Sequence, residues 1–323
     1  MTRSSDAPVR VGTRGSRLAL WQAERVANVL RIRYPGLAVE IVPIESHGDR
    51  HDAQSVADLG VTGIFTREIE VALLQREVDV AVHSLKDMPT QGPPGLEIAA
   101  LLPRDDPRDV MVAQAFAAGG ASDPSNPIRS LPRGARVATS SLRRQAELLR
   151  QRPDLQVAEL RGNVPTRISK VERGEVDAVV LSLSGLERLG LQPAGRAPID
   201  PELMLPSPAQ GTIAIQVRSA DARAMELVHP LDDPFTRACT TAERLLMAEL
   251  EGGCRVPLGA LASVEAGTMV LRARLHSPDG KRMIEDSTSG PMMDYPAIAA
   301  GLAAALRAQG AGDILATLRN AGS

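Results

Sequence analysis

The chain has 323 residues, of which 43% are hydrophobic and 24% are charged, and its formal net charge is −2. These values are typical of a globular protein of two or three domains. They exclude a protein-wide basic surface for nucleic acid or membranes, and one Trp, two Tyr and three Phe leave little surface for base stacking.

In the first third of the chain, short β-branched runs alternate with amphipathic helical segments. This alternation predicts an α/β region with a mainly parallel sheet. The predicted elements are strands at Val9–Thr13, Val39–Ile44 and Val78–His83 and helices at Arg17–Arg33 and Phe65–Arg76.

The same rhythm restarts after a loop rich in Gly, Ser, Pro and Asn at Gly119–Pro132. The segment Glu77–Leu85 (EVDVAVHSL) is echoed by Glu175–Leu183 (EVDAVVLSL), and Val11-Gly-Thr13 is echoed by Val137-Ala-Thr139. These echoes predict two similar α/β lobes with a ligand cleft between them, since open α/β sheets bind ligands outside the carboxyl ends of their strands. The predicted elements are strands at Arg136–Thr139, Gln156–Leu160 and Val176–Leu183 and helices at Leu142–Arg152 and Pro165–Arg173.

The C-terminal part changes character and predicts a small α+β domain. Alternating apolar and polar residues favour a half-exposed antiparallel sheet, and an Ala/Leu-rich helix follows Pro296. The predicted strands of this tail, Val256–Ser323, are Gly259–Val264, Met269–His276 and Arg282–Ser287. Ahead of the tail, a strand is predicted at Thr212–Val217 and a long helix at Phe235–Leu250.

Two cysteines, Cys239 and Cys254, are too few for a disulfide framework and have no zinc-ligand spacing. The N-terminus lacks the apolar segment of a secretory signal, and no stretch approaches about 18 uninterrupted apolar residues. We therefore expect a cytoplasmic protein with free thiols, without a metal site, and without nucleic-acid or membrane partners.

The basic residues are almost all arginine, since only Lys86, Lys170 and Lys281 are lysines among 37. One interpretation of this skew is a coding bias towards arginine. Arginine also binds carboxylates and phosphates through paired hydrogen bonds, which lysine does not. The positions of the arginines must separate these two interpretations.

Three turns that follow predicted strands carry arginine together with Ser or Thr: Thr13–Ser16, Thr139–Arg144 and Leu160–Arg167. Cations at a helix N-terminus oppose the helix dipole, so arginine there makes sense if an anion is bound. The chain has no P-loop and no GxGxxG motif, which disfavours nucleotides. An anion site in the cleft is therefore predicted.

Two further segments are candidates for chemistry. Lys86 and Asp87 follow the predicted buried strand directly, and Pro89 predicts an extended backbone at their turn. Cys254 follows two glycines and precedes Arg255, which favours an accessible thiol with thiolate character, whereas Cys239 within a predicted helix fits a structural role. A solvated Lys–Asp turn and an inert thiol remain open alternatives on these residues alone.

Seven motifs in order along nearly the whole chain resemble those of the porphobilinogen deaminase (hydroxymethylbilane synthase) family: GTRGSRLALWQA, GIFTREIEVALL, VDVAVHSLKDMPT, ATSSLRRQAELL, LRGNVPTRI, LPSPAQG and EGGCRVPLGA. The resemblance implies two periplasmic-binding-protein-like (type II) α/β lobes around a cleft plus a small α+β C-terminal domain. The implied boundaries are residues 1–103 and 204–220 for lobe 1, 104–203 for lobe 2 and 221–323 for the C-terminal domain.

The resemblance also implies the activity: a transferase that joins four porphobilinogen molecules with loss of ammonia to give hydroxymethylbilane, in tetrapyrrole biosynthesis for heme and chlorophyll. A dipyrromethane cofactor, attached to Cys254 through a thioether, primes the chain. The implied protein is a cytoplasmic monomer, and its product passes to uroporphyrinogen-III synthase.

By the same resemblance, Asp87 is the catalytic carboxylate, assisted by Lys86. The residues implied to bind the cofactor are Thr139, Ser141, Arg143, Arg144, Arg161 and Arg188, together with Lys86 and Asp87. Those implied to bind substrate are Arg14, Ser16, Arg161, Arg167 and Gln210.

The loop before Phe65 departs from the family pattern. Leu59–Gly63 reads LGVTG where the family often has GGKG, so Thr62 stands at the lysine position and Asp58 at a second basic position. A basic lid is therefore not expected from this loop. A solute-binding or regulatory lobe pair without chemistry, or another cysteine-dependent transferase, are the alternatives that the residues leave open.

Overall fold

The computed structural model describes residues 7–45, 66–117, 119, 123, 125–250 and 256–321. The chain divides into two compact units, Met1–Asp105 with Thr212–Arg237 and Asp106–Gly211 with Ala238–Ser323. The implied domain boundaries stay a prediction, because a unit defined by its contacts need not be a domain that folds alone.

Regular structure alternates along the described residues much as the sequence predicts. The strands are β1 Val9–Arg14, β2 Val39–Ile44, β3 Val80–Ser84, β4 Leu96–Leu101, β5 Asp109–Ala113, β6 Arg136–Ala138, β7 Gln156–Ala158, β8 Ala178–Ser182, β9 Arg196–Pro198, β10 Ile213–Arg218, β11 Leu258–Glu265, β12 Thr268–His276 and β13 Met283–Pro291. The helices are α1 Arg17–Arg33, α2 Arg67–Leu74, α3 Gln114–Ala117, α4 Leu142–Gln151, α5 Val164–Glu172, α6 Leu183–Arg188, α7 Ala222–Val228, α8 Pro234–Glu249, α9 Tyr295–Ala308 and α10 Ala311–Ala321.

The first unit contains the first lobe, a five-stranded sheet with its packed helices and connecting turns. The strand order of this sheet is β2-β1-β3-β10-β4. Strands β1 to β3 are parallel, while β10 runs antiparallel to both β3 and β4. Helices α1 and α7 pack on one face through residues such as Val26 and Val228, and α2 packs on the other through Leu73. Because both faces are covered, β3 and β10 are buried at nearly every position, including the polar residues His83 and Gln216.

The second unit contains a sheet, here called the second lobe, with the equivalent order β7-β6-β8-β5-β9. Its register repeats that of the first lobe, since Val11 pairs with Val80 in one and Val137 pairs with Ala178 in the other. These are the residue pairs that the two sequence echoes align. The repeated order and register confirm the prediction of two similar α/β lobes.

The second unit also contains the predicted α+β region. Strands β11, β12 and β13 form an antiparallel sheet whose apolar face packs against α8 and α9, with Leu246, Leu271 and Leu302 fully buried between them. Strand β12 also contacts α4 of the second lobe, where the buried Arg274 Nη1 lies 3.0 Å from Glu147 Oε1. The predicted fold class is confirmed.

Several elements differ from the sequence-based prediction. Strands β4, β5 and β9 were not predicted, although β5 is buried at all five positions. Helix α2 ends at Leu74 rather than Arg76, because Arg76 adopts the left-handed φ of 62° that terminates a helix. Among the described residues, no helix is long and apolar enough to cross a membrane.

Candidate active site

A pocket in the first lobe lies at the carboxyl ends of β1 and β3. Its lining includes Arg14 from the end of β1, Ser16 from the start of α1, and Ser84 and Asp87 from the end of β3 and the turn that follows. Ligands of open α/β sheets bind at this edge. The pocket thus brings together three predicted site residues, Arg14, Ser16 and Asp87.

Asp87 sits on a short 3-10 turn, Leu85–Asp87, that is held on both sides by buried neighbours. Leu85 is 1% exposed and donates its backbone N–H to Thr212 O at 3.0 Å, while Met88 is 2% exposed and donates to Leu85 O at 3.2 Å. Between these anchors Lys86 is half-buried and Asp87 is exposed. The turn therefore presents an accessible carboxylate from a fixed backbone. The predicted extended conformation falls on Met88, the residue directly before Pro89, rather than on Asp87.

Ser16 and Arg14 are placed by the β1–α1 connection. Ser16 is the N-cap of α1, and its Oγ accepts a hydrogen bond from Ala19 N at 3.3 Å. Thr13, fully buried, donates its hydroxyl to Ala19 O at 3.2 Å. Arg14 is half-buried. The arrangement puts a guanidinium and a capped helix N-terminus, both favourable to anions, in one pocket with Asp87.

The second lobe holds its predicted arginine pair in a buried charge cluster. Arg143 Nη2 lies 2.7 Å from Asp109 Oδ2, and Arg144 Nη2 lies 2.8 Å from Asp109 Oδ1. The two arginines are 4% and 8% exposed, and Asp109 is fully buried. Burial alone would raise the pKa of Asp109, but the charges of Arg143 and Arg144 hold it well below its usual range.

Asp109 is a site residue that sequence reasoning missed. Its only signal is a carboxylate at the start of the apolar run Val110–Ala113, in a strand that was not predicted. It also receives a hydrogen bond from Gln210 Nε2 at 2.9 Å, so it joins two predicted arginines and the predicted glutamine in one cluster.

The Gln210 segment is held by a buried glutamate on α8. Glu243 Oε2 accepts from Ala209 N at 2.6 Å, and its Oε1 accepts from Ala262 N at 2.8 Å. Ala209 has a left-handed φ of 62°, which a non-glycine residue adopts only where its surroundings impose it. This contact fixes the backbone that aims Gln210 at Asp109.

Two predicted hydroxyl residues and one further arginine of the second lobe form hydrogen bonds to the backbone. Ser141 is the N-cap of α4, its Oγ accepting from Arg144 N at 3.4 Å, and the buried Thr139 Oγ1 accepts from Ser141 N at 3.1 Å. Arg188, also buried, donates to Gly211 O at 2.7 Å.

Arg161 and Arg167 lie at the β7–α5 connection. Arg161 is exposed, with its Nε 3.2 Å from Glu159 Oε1, and the half-buried Arg167 donates its Nε to Gly162 O at 2.7 Å. Gly162 has a φ of 100°, and a Cβ there would come within 2.8 Å of Thr166 Cγ2. The backbone geometry and the close packing of this turn therefore both favour glycine at position 162.

Three sequence-based predictions fall outside the described residues: the cofactor attachment at Cys254 and the altered loop positions Asp58 and Thr62. Cys239 lies on α8 and is buried in the core between that helix and the antiparallel sheet, in agreement with the predicted structural role. In the part of the chain that the structure describes, no group of three or more His, Cys, Asp and Glu side chains is arranged to hold a metal ion.

Comparisons with known proteins agree with this geometry. Residues 9–226 match the family model "Porphobilinogen deaminase, dipyromethane cofactor binding domain", and residues 237–308 match "Porphobilinogen deaminase, C-terminal domain". A curated relative, the porphobilinogen deaminase of Moorella thermoacetica, is 44% identical over 307 residues, which cover 95% of each chain. This two-lobed α/β protein with a C-terminal α+β region belongs to the porphobilinogen deaminase family.

Solved structures offer weaker likenesses. The periplasmic VFT2 domain of Bordetella pertussis BvgS is 17% identical with a TM-score of 0.41, over 69% of this chain and 86% of that one. A Corynebacterium glutamicum OxyR mutant is 18% identical with a TM-score of 0.40, over 68% and 60%. Scores this low carry no functional inference, and the fold class stands on the strand order described above.

Proposed function

We propose that this chain joins four porphobilinogen molecules in successive additions, releasing ammonia at each, to form hydroxymethylbilane for tetrapyrrole biosynthesis. The observation that carries the proposal is an exposed carboxylate, Asp87, on an anchored turn in a pocket with Arg14 and Ser16. Membership of the porphobilinogen deaminase family over nearly the whole chain supplies the substrate and the reaction.

Asp87 acts on the charge that develops as ammonia leaves. Loss of ammonia from the aminomethyl group turns the pyrrole into an electron-poor azafulvene that carries positive charge. A fixed carboxylate stabilises that charge and accepts pyrrole N–H protons. Because Leu85 and Met88 hold the turn, the backbone that carries the carboxylate is already in place when the charge appears. Lys86, beside it, contributes an ammonium group for the carboxylates of substrate and cofactor.

The arginines bind the acetate and propionate groups that each pyrrole brings. The two guanidiniums face the carboxylate of Asp109, Glu147 also acts electrostatically on Arg143, and the Nε atoms of Arg143 and Arg144 have no partner among the described residues. Buried charged groups with unpartnered donors are costly unless an anion completes them.

We assign Arg143, Arg144, Arg188, Thr139 and Ser141 to the cofactor, Arg161 to both cofactor and substrate, and Arg14, Ser16, Arg167 and Gln210 to substrate.

These unpartnered donors fit the carboxylate-bearing dipyrromethane, which is the group named by the family model that matches residues 9–226. When bound, the dipyrromethane supplies the terminal pyrrole to which new units are joined. We propose that it is attached at Cys254 through a thioether. Arg143 and Arg144 hold its side-chain carboxylates in place.

The remaining proposals concern the cellular location, the oligomeric state, the next enzyme and the domain boundaries. The protein works in the cytoplasm as a monomer and passes its product to uroporphyrinogen-III synthase. Residues 1–103 with 204–220, 104–203 and 221–323 form its three domains. These statements are supported by the seven-motif resemblance.

The decisive experiment is the intact mass of the purified protein, together with ammonia release from porphobilinogen. We expect a covalent adduct of dipyrromethane mass that disappears in Cys254→Ala, which should release no ammonia. The matched variant Cys239→Ala removes the other thiol and should retain both adduct and activity. An active protein of unmodified mass, or an adduct that persists in Cys254→Ala, would contradict the attachment.

A further inference from the structure

A buried chain of three polar side chains lies beside Asp87 in the first lobe and has no part in the roles assigned above. His83 on β3, Gln216 on β10 and Glu70 on α2 are all more than nine-tenths buried. His83 Nε2 lies 3.1 Å from Gln216 Oε1, and Gln216 Nε2 donates to Glu70 Oε1 at 3.2 Å. His83 also lines the pocket that contains Asp87.

The direction of these hydrogen bonds fixes the tautomer of His83. The Glu70 carboxylate only accepts hydrogen bonds, so the Gln216 amide must turn its NH₂ group towards Glu70 and its oxygen towards His83. That oxygen accepts, so His83 Nε2 must carry the hydrogen. The other ring nitrogen, Nδ1, then has a lone pair and is the nitrogen left for a ligand in the pocket that the ring lines.

The surroundings keep this imidazole neutral. Burial lowers the pKa of His83 to about 4, against the smaller opposing effect of its hydrogen bond to Gln216. The charged groups on the neighbouring elements include Glu70 on α2, Arg14 at the end of β1, Lys86 and Asp87 on the turn, and Arg218 on β10, the last donating to Leu73 O and Val78 O. At neutral pH His83 is therefore an uncharged acceptor next to the exposed carboxylate.

Each addition brings two pyrrole rings together, and each ring has one N–H group. Resting on the function proposed above, we propose that His83 Nδ1 accepts the N–H of one of these rings, while Glu70 acts through Gln216 as the positioning residue that sets its tautomer. A pyrrole N–H becomes more acidic as ammonia leaves, so a fixed neutral acceptor stabilises the transition state more than the bound substrate.

The test is the imidazole ¹⁵N spectrum of the labelled full-length protein, with His83→Gln identifying the His83 signals. In the wild type we expect a neutral ring with its hydrogen on Nε2. Glu70→Gln replaces the acceptor by an amide that can also donate, so the Gln216 amide is no longer held one way and His83 should show a mixture of tautomers. In that variant kcat and kcat/KM should fall together by about fivefold, the size of one hydrogen bond.

Glu77→Gln is the matched control, since it removes the same charge from an exposed position just after α2 and should change neither spectrum nor kinetics. An Nδ1–H or charged His83 in the wild type would overturn the proposal, even if Glu70→Gln fails to fold. So would a mixed tautomer in Glu70→Gln with unchanged kcat. The tautomer is measured without turnover, so the proposed role of Asp87 is tested separately. If that role is wrong, the Asp87→Asn variant stays active and its His83 spectrum is unchanged.

Discussion

The two lobes share one frame but place different chemistry at equivalent positions. Ser84 pairs with Ile213 in the first lobe, and its counterpart Ser182 pairs with Asp109 in the second. The helix that follows the first parallel strand is capped by a serine in both, Ser16 or Ser141.

Two and three residues after these caps the first lobe has Leu18 and Ala19, whereas the second has Arg143 and Arg144. Together with Ile213 and its counterpart Asp109, these residues form an apolar trio in the first lobe and a charged trio in the second. Three residues after the paired serine the contrast reverses, with Asp87 in the first lobe and Gly185 in the second.

The difference fits the two tasks proposed for the lobes. The proposed reacting carboxylate has to be accessible, and the first lobe buries the neighbours of Asp87 while leaving Asp87 itself exposed. The proposed anion site needs oriented guanidiniums, and the second lobe buries them against a carboxylate of its own. Burying the two arginines without Asp109 would leave unpaired charges in a medium of low dielectric constant.

The largest expected effect is on turnover, from Asp87→Asn. Removing the negative charge at the reacting centre should lower kcat for porphobilinogen by at least about 100-fold, as for other single groups that stabilise transition-state charge. Stability should hardly change because Asp87 is exposed, and urea unfolding checks this.

The matched variant Glu97→Gln removes an exposed carboxylate from β4 of the same lobe and should keep normal turnover. Wild-type rates in Asp87→Asn would refute the assignment of the reacting carboxylate to the first lobe.

The next effect is on stability, from Asp109→Asn. The free energy of unfolding, measured in urea, should fall by about 3 kcal/mol, because removing one partner leaves two buried guanidiniums without a carboxylate. Replacing the trio by its first-lobe counterpart, Asp109→Ile with Arg143→Leu and Arg144→Ala, should recover much of that loss and still abolish porphobilinogen incorporation. If the triple variant were less stable than Asp109→Asn, the equivalence of the two trios would be wrong.

The smallest expected effect is from Arg161→Gln. Its ion pair with Glu159 is exposed, so the free energy of unfolding should change by less than about 0.5 kcal/mol. If Arg161 binds carboxylates of substrate or cofactor, incorporation of porphobilinogen should nevertheless slow severalfold. Arg173→Gln provides the control, because Arg173 forms an exposed pair with Glu175 at the same spacing along the chain. Equal kinetics in the two variants would remove Arg161 from the site.

Local pattern was enough to locate the elements that carry Asp87 and Ser141. The βα alternation and the motif at each strand end place Asp87 after β3 and Ser141 at the start of α4, and the structure has both there. The side-chain partners that meet over long sequence separations in the two lobes could not be predicted from local pattern. Arg144 meets Asp109 across 35 positions, and Gln216 meets Glu70 across 146. No periodicity links residues so far apart.

The sequence by itself determined the lobe repeat, the family and the candidate reacting groups, because each is written in short runs of neighbouring residues. Only the tertiary structure decided which arginines are buried against a protein carboxylate, and that His83, Gln216 and Glu70 form one buried hydrogen-bonded chain. The physical reason is that charge pairing and hydrogen-bond direction depend on the register of strands and the packing of helices. That register places Asp109, the first residue of β5, opposite Ser182 and brings Gln216 within reach of both His83 and Glu70.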